Sequence, residues 1–543
     1  MSFFTPVFLI FILTGLILYY IAPARCKWCI LLGLSIFFYC YGGIGPVLYL
    51  LITCASVWLA TCYMDNDRKK VKERITSIKA AVNDSASGEN TGREQSTPKE
   101  ADIKTIKADA KRRYKIVLIT VLILNIGILA YLKYFAAITG FFGLDLSAEG
   151  PISAGRLILP LGISFYTFSA IGYTLDVYGG YAKAERNPLK LLLFLSFFPQ
   201  IIQGPIARYN KLSPQLFADH KFDLRGLENG VILILWGMFK KLVIADRAVI
   251  LIETVFKDPE AIGRGEVFLF NILIYSAWQY ADFSGGIDMV TGIAQLFGIE
   301  LDENFKRPYF ATSISDFWRR WHISLGNWMR DYVFFPLSMS RPMLGIGKRA
   351  TKRFGEGIGR MVPVVLCSVI TFVLVGIWHG PYMHYVIWGL YNGLIISVER
   401  SLEPASVRFK QKHGIGDDNT PYRIFTIVRT FILVNFGWFF DGANASDAVY
   451  MLKNVFTNTH LSFDRLRFIL TLGLDKTDYY KLAVAVTVLF VVSLIKERGI
   501  KIRESLWKIG LPLRWALLYA LFFGTLILAV SQGGLGGFAY AQF

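Results

Sequence analysis

Met361–Val398 runs for 38 residues without one Asp, Glu, Lys or Arg. A helix crossing a bilayer needs about 20 mostly apolar residues, so this run has room for two crossings, and Trp28–Met64 has the same. Met1–Ala24, Ile116–Leu132, Leu157–Leu175, Leu191–Ala207 and Trp515–Phe543 are also uncharged. Apolar residues grouped in blocks of bilayer length predict helices packed within lipid, where each backbone N–H and C=O must find a partner inside the segment. We read eleven to thirteen membrane-embedded segments in one integral domain, residues 1–543, all-α and polytopic.

Composition agrees. Hydrophobic residues make up 54% and charged residues 18%, against about 25% charged in soluble domains. This excludes a soluble globular chain, a disordered one, a collagen, a coiled coil and a disulfide scaffold. Ala22-Pro23-Ala24 mimics a signal-peptidase site, but no basic residue precedes the apolar stretch, so a retained first helix is expected. Of the six cysteines, Cys26 and Cys29 form a C-x-x-C with no second pair or histidine cluster beside it. Packed thiols are expected, and no metal site.

The net charge of +18 would point to nucleic acid in a soluble protein. In a membrane protein it marks cytoplasmic loops. The polar stretch Asp65–Lys115 carries 14 Lys/Arg against 9 Asp/Glu and reads as a cytoplasmic loop insert with a disordered tip at Asn83–Pro98. Three crossings before it place the N-terminus outside. Arg341–Arg360 and Lys496–Arg514 read as inside, Asp441–Lys481 as an outside loop, and the C-terminus as outside. Pro160, Gly162 and Gly172 within Leu159–Tyr178, and Pro199, Gly204 and Pro205 within Phe194–Tyr209, predict broken or re-entrant segments lining a cavity, with kinked helices as the plainer alternative. The Gly533–Gly537 cluster reads as close packing or a turn.

Polar groups inside a membrane are costly and tend to be functional. His379 lies inside the longest uncharged run, in Gly376-Ile-Trp-His-Gly-Pro381. Gly380-Pro381 should end the helix there, leaving the imidazole at a C-terminus whose partial negative charge favours protonation. Such a group can take a proton from a hydroxyl near neutral pH. The plainer reading is a histidine bonded to a carbonyl at a turn.

His322 lies in Asp316-Phe-Trp-Arg-Arg-Trp-His-Ile-Ser-Leu-Gly-Asn-Trp-Met-Arg-Asp331. Trp318, His322, Leu325 and Met329 share one face of a continuous helix, and Trp321 widens the aromatic surface. An interfacial amphipathic helix with Trp anchors is the plain reading. The functional one sets His322 beside a thioester, with arginines toward a polyanionic donor. Asp282, after the uncharged stretch Val267–Ala281, needs a cationic partner, with an Arg or His on another helix expected, and a structural ion pair is the expected role.

The blocks Leu159–Gly180, Phe197–Tyr209, Ala281–Ile299, Asp316–Leu337 (DFWRRWHISLGNWMRDYVFFPL) and Gly376–Gly393 (GIWHGPYMHYVIWGLYNG) resemble, in the same order, the membrane-bound O-acyltransferase superfamily, and within it the alginate O-acetyltransferase branch. The resemblance is strongest over a catalytic core at 155–395. This sequence departs from the branch in the 65–115 insert and at Gly285-Gly-Ile-Asp288. The resemblance implies a ring of tilted helices with re-entrant segments around a central tunnel in the plasma membrane. It implies catalytic roles for His379 and His322. Donor or substrate contacts are expected beside them from Trp318, Trp321, Trp378, Arg319, Arg320, Arg330 and Asp282. His322 or the Trp378 indole N–H would donate to the oxyanion. No bound cofactor is expected. Acetyl-CoA would be the donor substrate. The acceptor would be an exported polysaccharide or an acyl-carrying partner, with a secreted SGNH-type acetyltransferase as a companion and no nucleic acid. D-alanyl transfer to teichoic acid is the alternative within the class. A glycan or lipid flippase, for which no inverted repeat is found, is the alternative outside it.

Overall fold

The computed structural model describes residues 3–86, 98–141, 160–416 and 419–529. Most of the expected disordered tip and the whole Gly533–Gly537 cluster lie outside them. Among the described residues the regular structure is helical and no strand occurs. Six helices are long and apolar enough to cross a membrane: Val47–Ala80, Asp102–Phe135, Arg341–His379, Thr420–Gly442, Lys476–Glu497 and Leu511–Leu528. Shorter apolar helices such as Pro6–Ile21 supplement them, so the protein is a multi-pass membrane protein. The described chain divides into two compact units, one made of residues 10–202 and 206–219 and the other mainly of residue 220 onward.

In the first unit the stretch read as a polar loop is largely helical. Val47–Ala86 and Pro98–Phe141 carry their apolar spans onward through the charged residues. The stretch is rich in Lys, Arg, Glu and Ala, which favour helix, and a helix already nucleated by its span extends without a new nucleus. The Arg113–Asp67 ion pair, at 2.8 Å, joins the two. Pro160–Gly162 does interrupt the chain, and Gly162 starts the helix Ile163–Gly179 at φ +66°. A Cβ there would lie 1.8 Å from the Ile201 carbonyl oxygen, so both the backbone angle and the space demand glycine. Gly172 does not break that helix. Its C-terminal carbonyls at Val177 and Tyr178 accept from the Arg68 guanidinium at 2.9 Å, which satisfies groups the helix cannot. Residues 197–208 are non-helical, as Pro199, Gly204 and Pro205 predict.

In the second unit the helices Leu224–Met238 and Gly265–Leu296 pack through paired glycines. A Cβ on Gly237 would lie 2.5 Å from the Gly285 carbonyl oxygen, and one on Gly292 2.5 Å from that of Gly230. Lipid removes the hydrophobic drive between helices, so such small-residue contacts and polar links hold them together. This accounts for the glycine at 285. The chain then makes a π-helical turn, Phe239–Ala245, which aims two buried lysines at the neighbouring helix. Lys240 Nζ meets Asp288 at 2.8 Å and Ser284 Oγ at 2.7 Å. Lys241 Nζ meets Asp282 at 2.6 Å and Asp246 at 2.9 Å.

Arg341–Arg360, the basic stretch expected inside, is helical with a break at Gly355, where φ is +85°. From Gly355 a helix runs to His379. Leu366, Ile370, Leu374 and Ile377 are exposed along one side and Cys367, Thr371, Val375, Trp378 and His379 are buried along the other. The exposed stripe is what lipid would cover. The return helix Met383–Lys412 lies close against it: Cβ atoms on Gly376, Gly389 and Gly393 would lie 2.2 Å from Tyr385 O, 2.4 Å from Phe372 O and 2.7 Å from Val369 Cα. This hairpin fixes where His379 stands.

Candidate active site

His379 is the last residue of its helix, as Gly380-Pro381 predicts, and is only 6% exposed. Tyr385 stacks on its ring at 5.8 Å, while Trp388 and Trp378 meet it edgewise at 5.1 and 4.9 Å between centroids. His322 reaches the same place by another route. The continuous helix expected over 316–331 does not form. The chain makes two short helices, Ile314–Arg320 and Ile323–Met329, broken at His322, which adopts φ +44° and ψ +53°. For a non-glycine residue this left-handed backbone is uncommon and costs energy, so surrounding contacts must impose it.

Asn304 imposes it. Its backbone oxygen accepts from Ile323 N–H at 3.0 Å, and Lys306 N–H donates to Arg320 O at 2.9 Å. Asn304 Oδ1 accepts from both the N–H and the hydroxyl of Ser324, at 3.0 and 2.9 Å, and lies 3.3 Å from His322 Nδ1. That oxygen can only accept, so Nδ1 carries the proton and Nε2 is left as an acceptor. Burial pushes the imidazole down to about 3, which keeps it neutral at ordinary pH. His322 lies outside the six spans, and Phe283 packs edgewise on it at 4.8 Å.

Both histidines line one cavity of about 580 Å³, with Trp318, Trp321, Arg319, Arg330, Trp388, Arg400 and Asp441 also in its wall. Trp318 Nε1–H donates to Asn392 Oδ1 at 3.1 Å and its ring meets Trp388 at 5.5 Å. Trp321 is buried, stacked on Phe317 at 5.6 Å. Trp378 lies behind the wall, 6.5 Å from the His322 ring centroid. Arg330 bonds Asp331 at 2.9 Å. Arg320 turns away, held by Asp316 at 3.0 Å and Glu497 at 3.2 Å, so its place is a structural ion-pair network. Asp282 is likewise outside the cavity wall, in its buried pairing with Lys241.

Ser315, Arg319, Val364 and Arg400 border this cavity and also a second, larger groove of about 1220 Å³. The groove carries Arg360, Lys410, Arg423 and Arg429. The cavity that holds His379 thus borders a groove in which Lys and Arg outnumber the two acidic residues, Glu399 and Glu403. Among the described residues no group of three or more His, Cys, Asp or Glu is placed to hold a metal ion.

Sequence reasoning missed Asn304, Arg400 and Asp441. Asp441 was read as the first residue of an outer loop; it is in the last turn of the helix Thr420–Gly442 and is only 8% exposed. A carboxylate ending an apolar helix carried the same signal as His379. Asn304 carried none.

The class defined by these features is a polytopic all-helical membrane protein with two histidines in a partly basic cleft. The chain belongs to the MBOAT, membrane-bound O-acyltransferase, family, whose model matches residues 47–351. It is 35% identical over 328 residues to the probable alginate O-acetylase AlgI of Pseudomonas syringae pv. tomato, covering 58% of this chain and 55% of that protein. It is 32% identical to the peptidoglycan O-acetyltransferase of Helicobacter pylori, covering 62% and 64%, and 31% identical to the teichoic acid D-alanyltransferase of Bacillus subtilis, covering 52% and 69%. The match thus spans little more than half the length of the first of these relatives.

Proposed function

We propose that this protein is an O-acyltransferase that moves an acetyl group from cytoplasmic acetyl-CoA to a hydroxyl on an exported polysaccharide, directly or through an acyl-carrying partner. The observation that carries this reading is the convergence of His379 and His322 on one cavity that shares wall residues with a basic groove. The relatives supply the class: O-acetylation of alginate or peptidoglycan, and D-alanylation of teichoic acid, are what their names state.

In this reading His379 takes the proton of the acceptor hydroxyl as its oxygen attacks the thioester carbonyl. Collapse of the tetrahedral adduct breaks the C–S bond, and the imidazolium returns the proton to the departing thiolate. Positioned proton transfer contributes about 10²–10⁴-fold, and holding both substrates in one cavity contributes much of the rest. His322, neutral with Nε2 as acceptor, suits a hydrogen bond from an amide N–H of the donor's pantetheine arm better than donation to an oxyanion. The Trp378 indole would reach the oxyanion only after a small side-chain movement, since it lies behind the wall. Arg319 and Arg400, at the junction of cavity and groove, take the place of Arg320 for the donor's phosphates, with Arg330 as a further cation.

The test uses purified protein in vesicles with labelled acetyl-CoA. Thioester cleavage that depends on His379 supports the acyltransferase. Glycan flux without cleavage would support the flippase instead. D-alanyl transfer from a carrier protein, with acetyl-CoA inert, would keep the class and change the acyl group.

A further inference from the structure

The cavity wall contains one more group that the mechanism above leaves idle. Among the described residues lining the cavity, Asp441 is the only acidic one. Its Oδ2 accepts from Tyr275 O–H at 2.8 Å and from Gln279 Nε2–H at 3.0 Å, two neutral donors on the helix Gly265–Leu296. Buried carboxylates ordinarily require a cationic partner, and Lys240 and Lys241 of the same unit are committed to Asp288, Asp282 and Asp246. The neighbouring residue ties this helix end to the His379 turn: Phe440 O lies 2.8 Å from His384 Nδ1. The His384 ring packs on Tyr385 at 4.1 Å between centroids, and Tyr385 in turn stacks on His379.

We propose that Asp441 is a positioning residue for the acyl transfer, its carboxylate being the anionic counterpart that stabilises the His379 imidazolium while the acceptor's proton resides on it. The inference rests on His379 acting as the base. Tyr385, Trp388 and Trp378 meet that imidazole ring directly, His384 packs against Tyr385, and the charged or titratable side chains that share the cavity wall with it are His322, Arg319, Arg330, Arg400 and Asp441. The arginines oppose a positive imidazolium and His322 is neutral, so among the side chains of that wall Asp441 is the one whose charge favours it. Two neutral donors hold the carboxylate in place without cancelling its charge, as a counter-ion for a transient cation requires.

The experiment compares full-length wild type with Asp441→Asn and Asp441→Glu. It measures thiol release from acetyl-CoA across pH with mannuronate oligosaccharide as the acceptor probe, together with donor binding and thermal unfolding. The Asn oxygen still accepts from Tyr275 and Gln279, so folding and donor binding are expected to hold. A carboxylate near the imidazole raises its proton affinity, so removing it should move the acid limb of kcat/KM to lower pH by about one unit and slow the plateau about tenfold or more. Asp441→Glu should restore part of both. An acid limb unmoved in Asp441→Asn overturns the inference, whether or not the rate falls, because a purely structural or acceptor-binding role would change kcat or KM and leave that limb in place. Wild type that releases no thiol would overturn the acyl-transfer reading, and this inference with it.

Discussion

At the scale of single residues, the left-handed backbone at His322 is the clearest sign of a built site. Three hydrogen bonds converge on the Asn304 side-chain oxygen, and a fourth ties its backbone to Ile323. Asn304→Ala removes the shared acceptor and leaves the buried Ser324 N–H unsatisfied. The expected cost is about 1–3 kcal/mol, read as a fall in thermal midpoint, together with at least a tenfold loss of kcat as the ring leaves its place. Unchanged kcat would show that the conformation of His322 does not matter for turnover. The downward push on His322 has a sign that can be worked through. Its folded-state pKa lies below the unfolded value of about 6.5, so the neutral form is favoured and stability is lost only as pH falls through that range. His322→Gln should therefore leave the acid limb of activity near neutral pH unmoved, whereas changes around His379 should shift it.

At the scale of elements, glycines set the geometry. The hairpin that carries His379 closes where Gly376, Gly389 and Gly393 let two helices touch. Gly389→Ala puts a methyl 2.4 Å from a backbone oxygen, which cannot move as a side-chain tip can. A destabilisation of about 1–3 kcal/mol is expected by thermal unfolding in detergent, along with a rate loss beyond that of an exposed control such as Gly357→Ala. Lys241→Met strands the buried Asp282 and the half-buried Asp246 and should cost about 3–5 kcal/mol, and Asp282→Asn added to it should recover part of that. These elements also show how far the sequence could be read. Uncharged runs located four of the six spans and Gly380-Pro381 located the end of the His379 helix, because both signals are local, whereas Thr420–Gly442 and Lys476–Glu497 carry charges within them and fell in no such run. The Trp318–His322–Leu325–Met329 stripe misled, because the break at His322 is enforced by Asn304, far away in sequence. The partner of Asp282 was expected to be Arg or His; it is Lys241, presented by a π-helical turn that periodicity does not reveal. The charged stretch 65–115 read as a loop because its polarity was taken as the signal, while its helix-forming side chains were the stronger one.

At the scale of the whole molecule, the account needs two substrates to meet from two compartments. The basic groove and the charge-rich segment 341–360 lie at one end of the helix that finishes with His379, the end that the positive-inside rule leads one to expect on the cytoplasmic side. Arg319→Ala together with Arg400→Ala should raise KM for acetyl-CoA about tenfold and flatten its dependence on salt, with kcat changed far less, as expected for charges that hold phosphates away from the reacting carbonyl. A kcat defect with KM unchanged would remove these arginines from donor binding. The most direct measurement compares His379→Ala and wild type in sealed vesicles, reading thiol release from acetyl-CoA and acetyl appearing on the acceptor, with insertion verified by protease protection. The account predicts loss of both signals by at least a hundredfold in a variant that inserts and melts as wild type does. Acetyl transfer at the wild-type rate without that imidazole would contradict it.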